Sequence, residues 1–267
     1  MTLEEKMARI RKMRPIDDVF FEVLAKNKAV CQEILQVIMQ DRNLVVEDVI
    51  VQSSERNLYG RSVRLDALCT LGTGVKCNIE VQRADNDDHL RRVRYNASVI
   101  TTRESNPGEH FGDILELYMV YISSFDFLGG KKTIYHVDKV LRETGKIIDD
   151  GVHEIFVNTA IDDGSEIADL MACFMKEDIQ DERFPNLSNE AYRLKHTEGG
   201  LTAVSKVMDE IRAEGRAEGR AEGLAEGRAE ERIQIIATLL ANGVTEDDAQ
   251  RWLNATPQEL EQAKKKN

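Results

Sequence analysis

The stretch VRLDALCTLGTGVKCNIEVQ, residues 63–82, contains two runs rich in Val, Leu and Ile that are separated by a glycine-containing turn. Alternation of apolar and polar residues is typical of half-buried strands, so the stretch predicts a hairpin that turns at 72–74. If both apolar faces lie on one side of the sheet, antiparallel pairing sets Asp66 directly opposite Glu80, with Cβ atoms about 5 Å apart. Gln82 lies two residues further along and shares their face.

The opposing carboxylates of Asp66 and Glu80 need a physical explanation, because like charges that face each other destabilise a sheet. A divalent cation between them offsets the repulsion, and hard oxygen ligands at this spacing suit Mg²⁺ or Mn²⁺. The alternative is an exposed polar face with both acids at a solvated edge. Spacing alone leaves both interpretations open.

The segments around the hairpin alternate between helical and strand patterns. Residues 18–40 have apolar side chains at helical spacing, as two helices or as one interrupted near Asn27, and residues 86–104 return to this spacing. The predicted strands are 45–52, 61–71, 76–82, 117–125, 133–140 and 153–161. The order α, β, β, β, α, β predicts an α/β fold, a mixed sheet flanked by helices. From about Glu166 onward the pattern is almost wholly helical.

A four-residue repeat of Arg, Ala, Glu and Gly occupies residues 212–231. On a helix, residues four apart stack, so the repeat forms columns of like charge. The segment is therefore either a helical arm that pairs with a partner helix or a flexible spacer. Gly243, Thr245 and the Thr256-x-x-Glu259 capping box predict two short closing helices. A helix-turn-helix DNA reader is conceivable there, but the acidic residues argue against it.

Composition and charge restrict the classes of protein. The chain has 267 residues, 42% of them hydrophobic, which suffices for one core and a helical extension. No apolar run reaches the roughly 18 residues of a membrane span, and the charged N-terminus does not resemble a signal peptide, so we expect a cytoplasmic protein without a membrane partner. The four cysteines lack metal-site spacing, which predicts reduced core thiols. A net charge of −12 means that nucleic-acid binding requires a local basic face or a metal ion.

Five short segments and the C-terminal repeat occur together in a combination that is typical of one protein family. The segments are Asp18-Val19-Phe20-Phe21, Val63-Arg64-Leu65-Asp66, Asn78-Ile79-Glu80-Val81-Gln82, Arg92-Val93-Arg94-Tyr95 and Ser124-Phe125-Asp126-Phe127. They resemble the PD-(D/E)XK nucleases, and most closely the PD-(D/E)XK nuclease family transposases, the Rpn-type recombination-promoting nucleases. The short motif alone is weakly specific, whereas the combination, which covers most of residues 15–260, is specific.

The resemblance implies a restriction-endonuclease-like αβββαβ core with an all-helical C-terminal extension. The predicted divisions are a nuclease-like domain over 1–165, a helical extension over 166–211, the repeat helix over 212–242 and a short helical tail over 243–267. The implied activity is Mg²⁺- or Mn²⁺-dependent hydrolysis of DNA phosphodiester bonds. The implied partner is DNA, and the repeat helix by itself suggests a second copy of the chain bound through the C-terminal helices.

The resemblance also assigns roles to individual residues. Asp66 and Glu80 would hold the ion, and Asp18 would complete the ligand set, although Asp18 is alternatively a helix N-cap. Its neighbour Asp17 is expected to face solvent. Gln82 would be the third catalytic residue, at a position where many members have lysine.

The helix after Gln82 supplies the predicted DNA contacts. Arg91, Arg92 and Arg94 would bind phosphates and Tyr95 would stack or pack nearby, the alternative being solvated surface arginines. His89 is predicted to be a surface residue and not a ligand.

Two other interpretations compete with an active nuclease. One is a nuclease fold that has lost activity and serves in DNA binding or assembly, as Gln82 and Glu22 in place of common lysines suggest. The other is a structural protein organised by oligomerisation of its helical tail.

Overall fold

The computed structural model describes residues 2–55, 63–108 and 110–266. The helices are α1 (Leu3–Arg11), α2 (Asp18–Ala25), α3 (Lys28–Ile38), α4 (His89–Glu104), α5 (Glu166–Phe174), α6 (Pro185–His196), α7 (Glu198–Ala241), α8 (Glu246–Leu253) and α9 (Pro257–Lys266). The strands are β1 (Val46–Glu55), β2 (Val63–Leu71), β3 (Lys76–Gln82), β4 (Leu117–Ser123), β5 (Ile134–Val137), β6 (Lys139–Val140), β7 (Ile147–Ile148) and β8 (Val152–Asn158).

Six strands form one mixed sheet in the order β1-β2-β3-β4-β8-β5. The first three strands are antiparallel neighbours, β3, β4 and β8 run parallel, and β5 is antiparallel to β8. The parallel step from β3 to β4 needs a crossover, which α4 provides. The predicted α/β class and the αβββαβ order are confirmed.

Side chains of each strand alternate between the two faces of the sheet, and helices pack against these side chains at several strands. Helices α2 and α3 contact β1, β2 and β3, while α4 contacts β2 and β4. The cluster packed with α4 consists of Leu65, Leu68, Val93, Ala97, Ile100, Leu117, Met119, Tyr121 and Phe156. Burying each large side chain of this kind contributes roughly 1.5–3 kcal/mol, which holds α4 on the sheet.

Buried polar side chains connect the N-terminal helices to α6. Asn27 separates α2 from α3 by accepting a hydrogen bond from the backbone N–H of Ala29 at 3.1 Å, so the two-helix alternative is confirmed. Glu33 on α3 accepts from the N–H groups of Asn186 and Leu187 at 3.1 and 2.8 Å. These donors belong to the first turn of α6, where a carboxylate is favoured by the helix dipole.

Two features differ from the sequence prediction. The strand predicted over 133–140 is divided, because β5 pairs with β8 whereas β6 pairs with β7 in a separate two-stranded sheet. The helix α1 is not among the predicted helices, although Thr2 and Glu5 form a capping box at its start. The first two residues of the strand predicted over 61–71 lie outside the described residues.

The chain divides into two compact units, one ending at Met208 and the other beginning at Asp209. The boundary lies within α7, which includes the whole Arg/Ala/Glu/Gly repeat as helix. The finer divisions drawn from the sequence stay predictions. In the residues that the structure describes, no helix is long and apolar enough to cross a membrane.

The second unit has a small core of its own and the predicted helix ends. Its buried residues are Ile236, Ala237, Ala249, Ala255, Leu260 and Ala263. Gly243 has a φ of 89°, in the left-handed region that favours glycine after a helix. Thr245 caps α8 by accepting from the N–H of Asp248 at 3.2 Å, and Thr256 with Glu259 forms the capping box of α9.

Candidate active site

The register of β2 and β3 is the one predicted from the hairpin sequence. Ala67 pairs with Ile79, and Leu68 pairs with Asn78. The pairs observed in the structure end at Ala67 and Ile79, and Asp66 and Glu80 are the next residues along the two strands. Asp66 Oδ2 accepts a hydrogen bond from the backbone N–H of Val81 at 2.9 Å, which fixes that carboxylate against β3.

The Glu80 carboxylate lies inside the protein, with 6% of the residue exposed. The side-chain N–H groups of Asn78, at 2.9 Å, and Asn96 on α4 both donate to Glu80 Oε1. Burial raises the pKa of Glu80, and the hydrogen bonds from the two asparagines and the nearby charge of Arg92 lower it by less. The interpretation of a solvated edge is therefore wrong for Glu80, because α4 covers this face of the sheet.

A hydrogen-bonded chain of Asp85, His89 and Tyr121 lies beside Glu80. Tyr121 pairs directly with Glu80 in the register of β3 and β4. His89 is within 2.8 Å of the Tyr121 hydroxyl through Nδ1, and within 2.9 Å of Asp85 Oδ1 through Nε2. Burial raises the pKa of Tyr121 well above its ordinary value, so the hydroxyl keeps its proton.

The prediction that His89 lies on the surface is wrong, since only 4% of the residue is exposed. The ring centroids of Phe125 and Phe127 lie 5.0 and 4.8 Å from that of His89. These aromatic residues enclose the imidazole, while Asp85 and Tyr121 satisfy both of its nitrogens. The three aspartates near His89 in the sequence gave no indication of this pocket.

The arginines of α4 point to two different places. Arg92 is half-buried, donates to Asp88 Oδ2 at 3.2 Å and lies within electrostatic range of Glu80. Arg91 and Arg94 are exposed and line a groove of about 630 Å³ that Lys139 also lines. Tyr95 is partly buried and packs against the core beneath α4.

The remaining predicted residues lie at the end of β3 and the start of α2. The Gln82 side-chain amide donates to the carbonyl of Ala84 at 2.6 Å, within its own loop. Asp18 is exposed at the first position of α2, and the N-cap alternative is wrong for it because Asp17 occupies the N-cap position. Glu22 is buried, 3.8 Å from Lys26.

Asp17 was expected to face solvent, and this expectation is wrong. Its Oδ1 lies 2.5 Å from the Arg83 guanidinium, and its Oδ2 accepts from the N–H of Arg14 at 2.8 Å. Arg83 directly follows Gln82, so this ion pair connects the start of α2 to the end of β3. The cause is a tertiary contact that sequence spacing does not encode.

The oxygen ligands available at this site suit a cation that is shared with a substrate. Among the described residues, no group of three or more His, Cys, Asp or Glu side chains could hold a metal ion. Asp66 and Glu80 supply two carboxylates, and Mg²⁺ is usually held by one or two carboxylates with water and phosphate oxygens in its other positions. The pair therefore fits Mg²⁺ or Mn²⁺ at an open site, but not a closed structural site.

A mixed sheet of αβββαβ order, with Asp66 on its second strand and Glu80 on its third, is consistent with a PD-(D/E)XK fold. A family model described as PD-(D/E)XK nuclease family transposase matches residues 16–161, more than half of the chain. The chain belongs to this family. No curated protein and no solved structure matches it.

Asn78, Asn96 and Tyr121 contact or neighbour the carboxylate pair but were not among the predicted site residues. A weak signal exists for Asn96, which lies at helical spacing among the apolar residues Val93, Ala97 and Ile100. A polar residue on the buried face of a helix needs a partner, and here the partner is Glu80.

Proposed function

We propose that the protein is a metal-dependent DNA endonuclease of the recombination-promoting type. The observation that carries this proposal is that Asp66 accepts a hydrogen bond from the backbone N–H of Val81, the residue that follows the buried Glu80, with the positive charge of Arg92 near Glu80. Two acids brought together in a partly closed site are costly for stability, and cation binding accounts for that cost. We further propose that the protein acts in the cytoplasm.

The roles of the side chains follow from their positions. Asp66 and Glu80 would hold the cation, with Asp18 as a further candidate ligand. When bound there, a divalent cation supplies charge to the scissile phosphate and lowers the pKa of a bound water. Gln82 would orient a water or donate a hydrogen bond, but it carries no positive charge. Its bond to the Ala84 carbonyl uses one side-chain N–H and leaves the second N–H and the side-chain oxygen for either role.

The arginines that we propose as DNA contacts lie at two different places on α4. Arg92, whose positive charge lowers the pKa of Glu80, would act on the phosphate being cleaved. Arg91 and Arg94 line the groove with Lys139, where they would contact phosphates further along the strand. Tyr95 packs on the core, so we assign it the support of α4 in place of direct stacking.

Cleavage of supercoiled plasmid tests the proposal. With Mg²⁺ or Mn²⁺ the purified protein should nick or linearise the plasmid, and EDTA should abolish this. Asp66→Ala and Glu80→Ala should each reduce the rate by at least about 100-fold, since loss of a ligand removes the cation that supplies charge stabilisation. Glu182→Ala, which removes an exposed acid from another part of the chain, is the matched control.

A second candidate function is a nuclease fold that binds DNA or assembles without turnover. Gln82 and Glu22 favour it, because neither carries the positive charge of the lysine that is common at these positions in the family. Equal inactivity of the wild type and both alanine variants with either metal, together with DNA retention in a gel-shift assay, would select this alternative.

We also propose that a second copy of the chain pairs through α7. The glycines of the repeat are Gly215, Gly219, Gly223 and Gly227, and a Cβ at any of them would meet no neighbouring atom within 4 Å. Each glycine costs the helix about 1 kcal/mol relative to alanine, with no steric need for it in the single chain. A partner helix that approaches closely and opposes the columns of Arg and Glu would account for the repeat.

A further inference from the structure

We propose that Asn96 and Asn78 are positioning residues that hold Glu80 Oε1, so that the other carboxylate oxygen is presented to a divalent cation. This inference rests on the proposed function. In this proposal α4 orients a metal ligand on β3, and its arginines contact DNA.

The two amides reach Glu80 from different elements. Asn78 lies on β3, two residues before Glu80 on the same face of the sheet, and Asn96 lies on α4 above that face. Both side-chain N–H groups donate to the same atom, Oε1. Neither amide donates to Oε2, so this clamp of Asn78 and Asn96 holds one carboxylate oxygen and does not engage the other. Two donors from separate directions restrict the side-chain rotation of Glu80 more than either does alone.

Burial makes these donors necessary for an ionised ligand. Asn78 is fully buried and Asn96 is 5% exposed, so water cannot replace either amide around Glu80. A carboxylate removed from water needs hydrogen bonds to stay charged at acceptable cost. Hydrogen bonds from outer residues to metal ligands commonly orient the ligand and affect metal affinity by about 10–100-fold.

The unsatisfied oxygen of Asn78 indicates that this residue does not serve stability alone. Its Oδ1 is buried and has no hydrogen-bond partner among the residues that the structure describes. An unsatisfied buried acceptor costs about 1–3 kcal/mol, and an apolar residue at this position would avoid that cost. The donation of Asn78 to Glu80 is the contact that such a residue would lose.

Direct measurement of Mn²⁺ binding without DNA tests the inference on the full-length protein. Mn²⁺ titrations followed by electron paramagnetic resonance should show about 10-fold weaker affinity for Asn96→Leu and for Asn78→Val. Ser98→Ala, on the exposed face of α4, is the matched control and should bind as the wild type does. The two asparagines lie in different elements, so each variant tests the clamp independently if the other does not fold.

Urea unfolding without metal separates positioning from a structural role. Asn78→Val removes a donor to Glu80 but also an unsatisfied acceptor, so its midpoint should stay close to that of the wild type. Unchanged Mn²⁺ affinity in the folded asparagine variants, with loss of binding in Glu80→Ala, would overturn the inference and leave the proposed function intact. Unchanged binding in Glu80→Ala itself would place the cation elsewhere and overturn both.

Discussion

Lys195 shows how one buried charge joins distant parts of the first unit. Only 2% of the residue is exposed, and its Nζ donates to the carbonyls of Met13 and Glu177. The same ammonium lies 5.0 Å from the centroid of the Phe20 ring. These contacts tie the segment after α1 and the segment after α5 to α6. Burial lowers the pKa of Lys195, which is consistent with its removal from water.

Replacing Lys195 by methionine should therefore destabilise the protein. Lys195→Met keeps a similar volume but leaves two buried carbonyls without this donor, so the free energy of unfolding should fall by about 2–4 kcal/mol. Urea titration monitored by circular dichroism measures the change. Lys132→Met, at an exposed position, should change the midpoint little. An unchanged midpoint for Lys195→Met would show that water replaces the ammonium.

At this scale, the sequence predicts contacts within the hairpin better than contacts between distant segments. The register of β2 and β3, in which Ala67 pairs with Ile79, follows from period-two alternation and a three-residue turn, which are local properties. The Asp17–Arg83 ion pair and the bond from Asn96 to Glu80 join residues of different elements. Their geometry depends on how α2 and α4 pack on the sheet, which alternation does not specify.

Helix α6 is connected to the turn between α2 and α3 by a charged group. Glu190 on α6 accepts from the Arg193 guanidinium at 2.6 and 2.9 Å and from the Asn27 amide at 3.2 Å. The hydrogen bond from Arg193, opposed by burial and assisted by Asn27, lowers the pKa of Glu190 below its ordinary value of 4.5. The folded state therefore favours the ionised form.

This lowered pKa predicts a pH-dependent contribution to stability. Because the folded-state pKa is depressed, the contribution is present above pH 4.5 and is lost as the pH falls through the folded-state value. Glu190→Gln should lower the free energy of unfolding by about 1 kcal/mol at pH 7, since Arg193 is half-exposed and the pair is screened by solvent. Urea titrations should show this difference shrinking by pH 3.

The exposed residue Glu182 supplies the control for that comparison. Glu182→Gln should track the wild type across the same pH range. If the difference between the wild type and Glu190→Gln were constant with pH, the effect would come from packing of the side chain and not from its charge.

Most elements of the sheet could be predicted because their patterns are strong and local. The strands β1 to β4 and β8 combine apolar residues with clear turn signals, and Asn27 gives a cap between α2 and α3. The division of 133–140 into β5 and β6 could not be predicted from that segment. It depends on which residues pair with β8 and which pair with β7.

For the molecule as a whole, the division at Met208 predicts that the catalytic and assembly functions are separable. Deletion of residues 212–267 removes the repeat together with the core of the second unit. The shortened protein should retain its mixed sheet and any metal-dependent cleavage, while its mass in solution should fall to that of a single chain. Light scattering after gel filtration, with plasmid cleavage in parallel, measures both properties.

Loss of cleavage in a folded, shortened protein would show that the tail contributes to the active form. An unchanged oligomer mass would place the contact between copies outside residues 212–267. Either result would contradict the separable arrangement. Circular dichroism establishes that the deletion has not unfolded the sheet.

The reactivity of the buried cysteines measures how often the sheet opens. Cys69 and Cys77 face each other across β2 and β3, and Cys31 on α3 lies against Cys69. The hydrogen bond with Cys31 and then burial raise the pKa of Cys69, and burial raises that of Cys77. The thiolate is the nucleophile that attacks thiol reagents, so these residues can be modified only after α3 and the strands separate. The rate at which a thiol reagent labels the protein therefore reports how often α3 separates from β2 and β3.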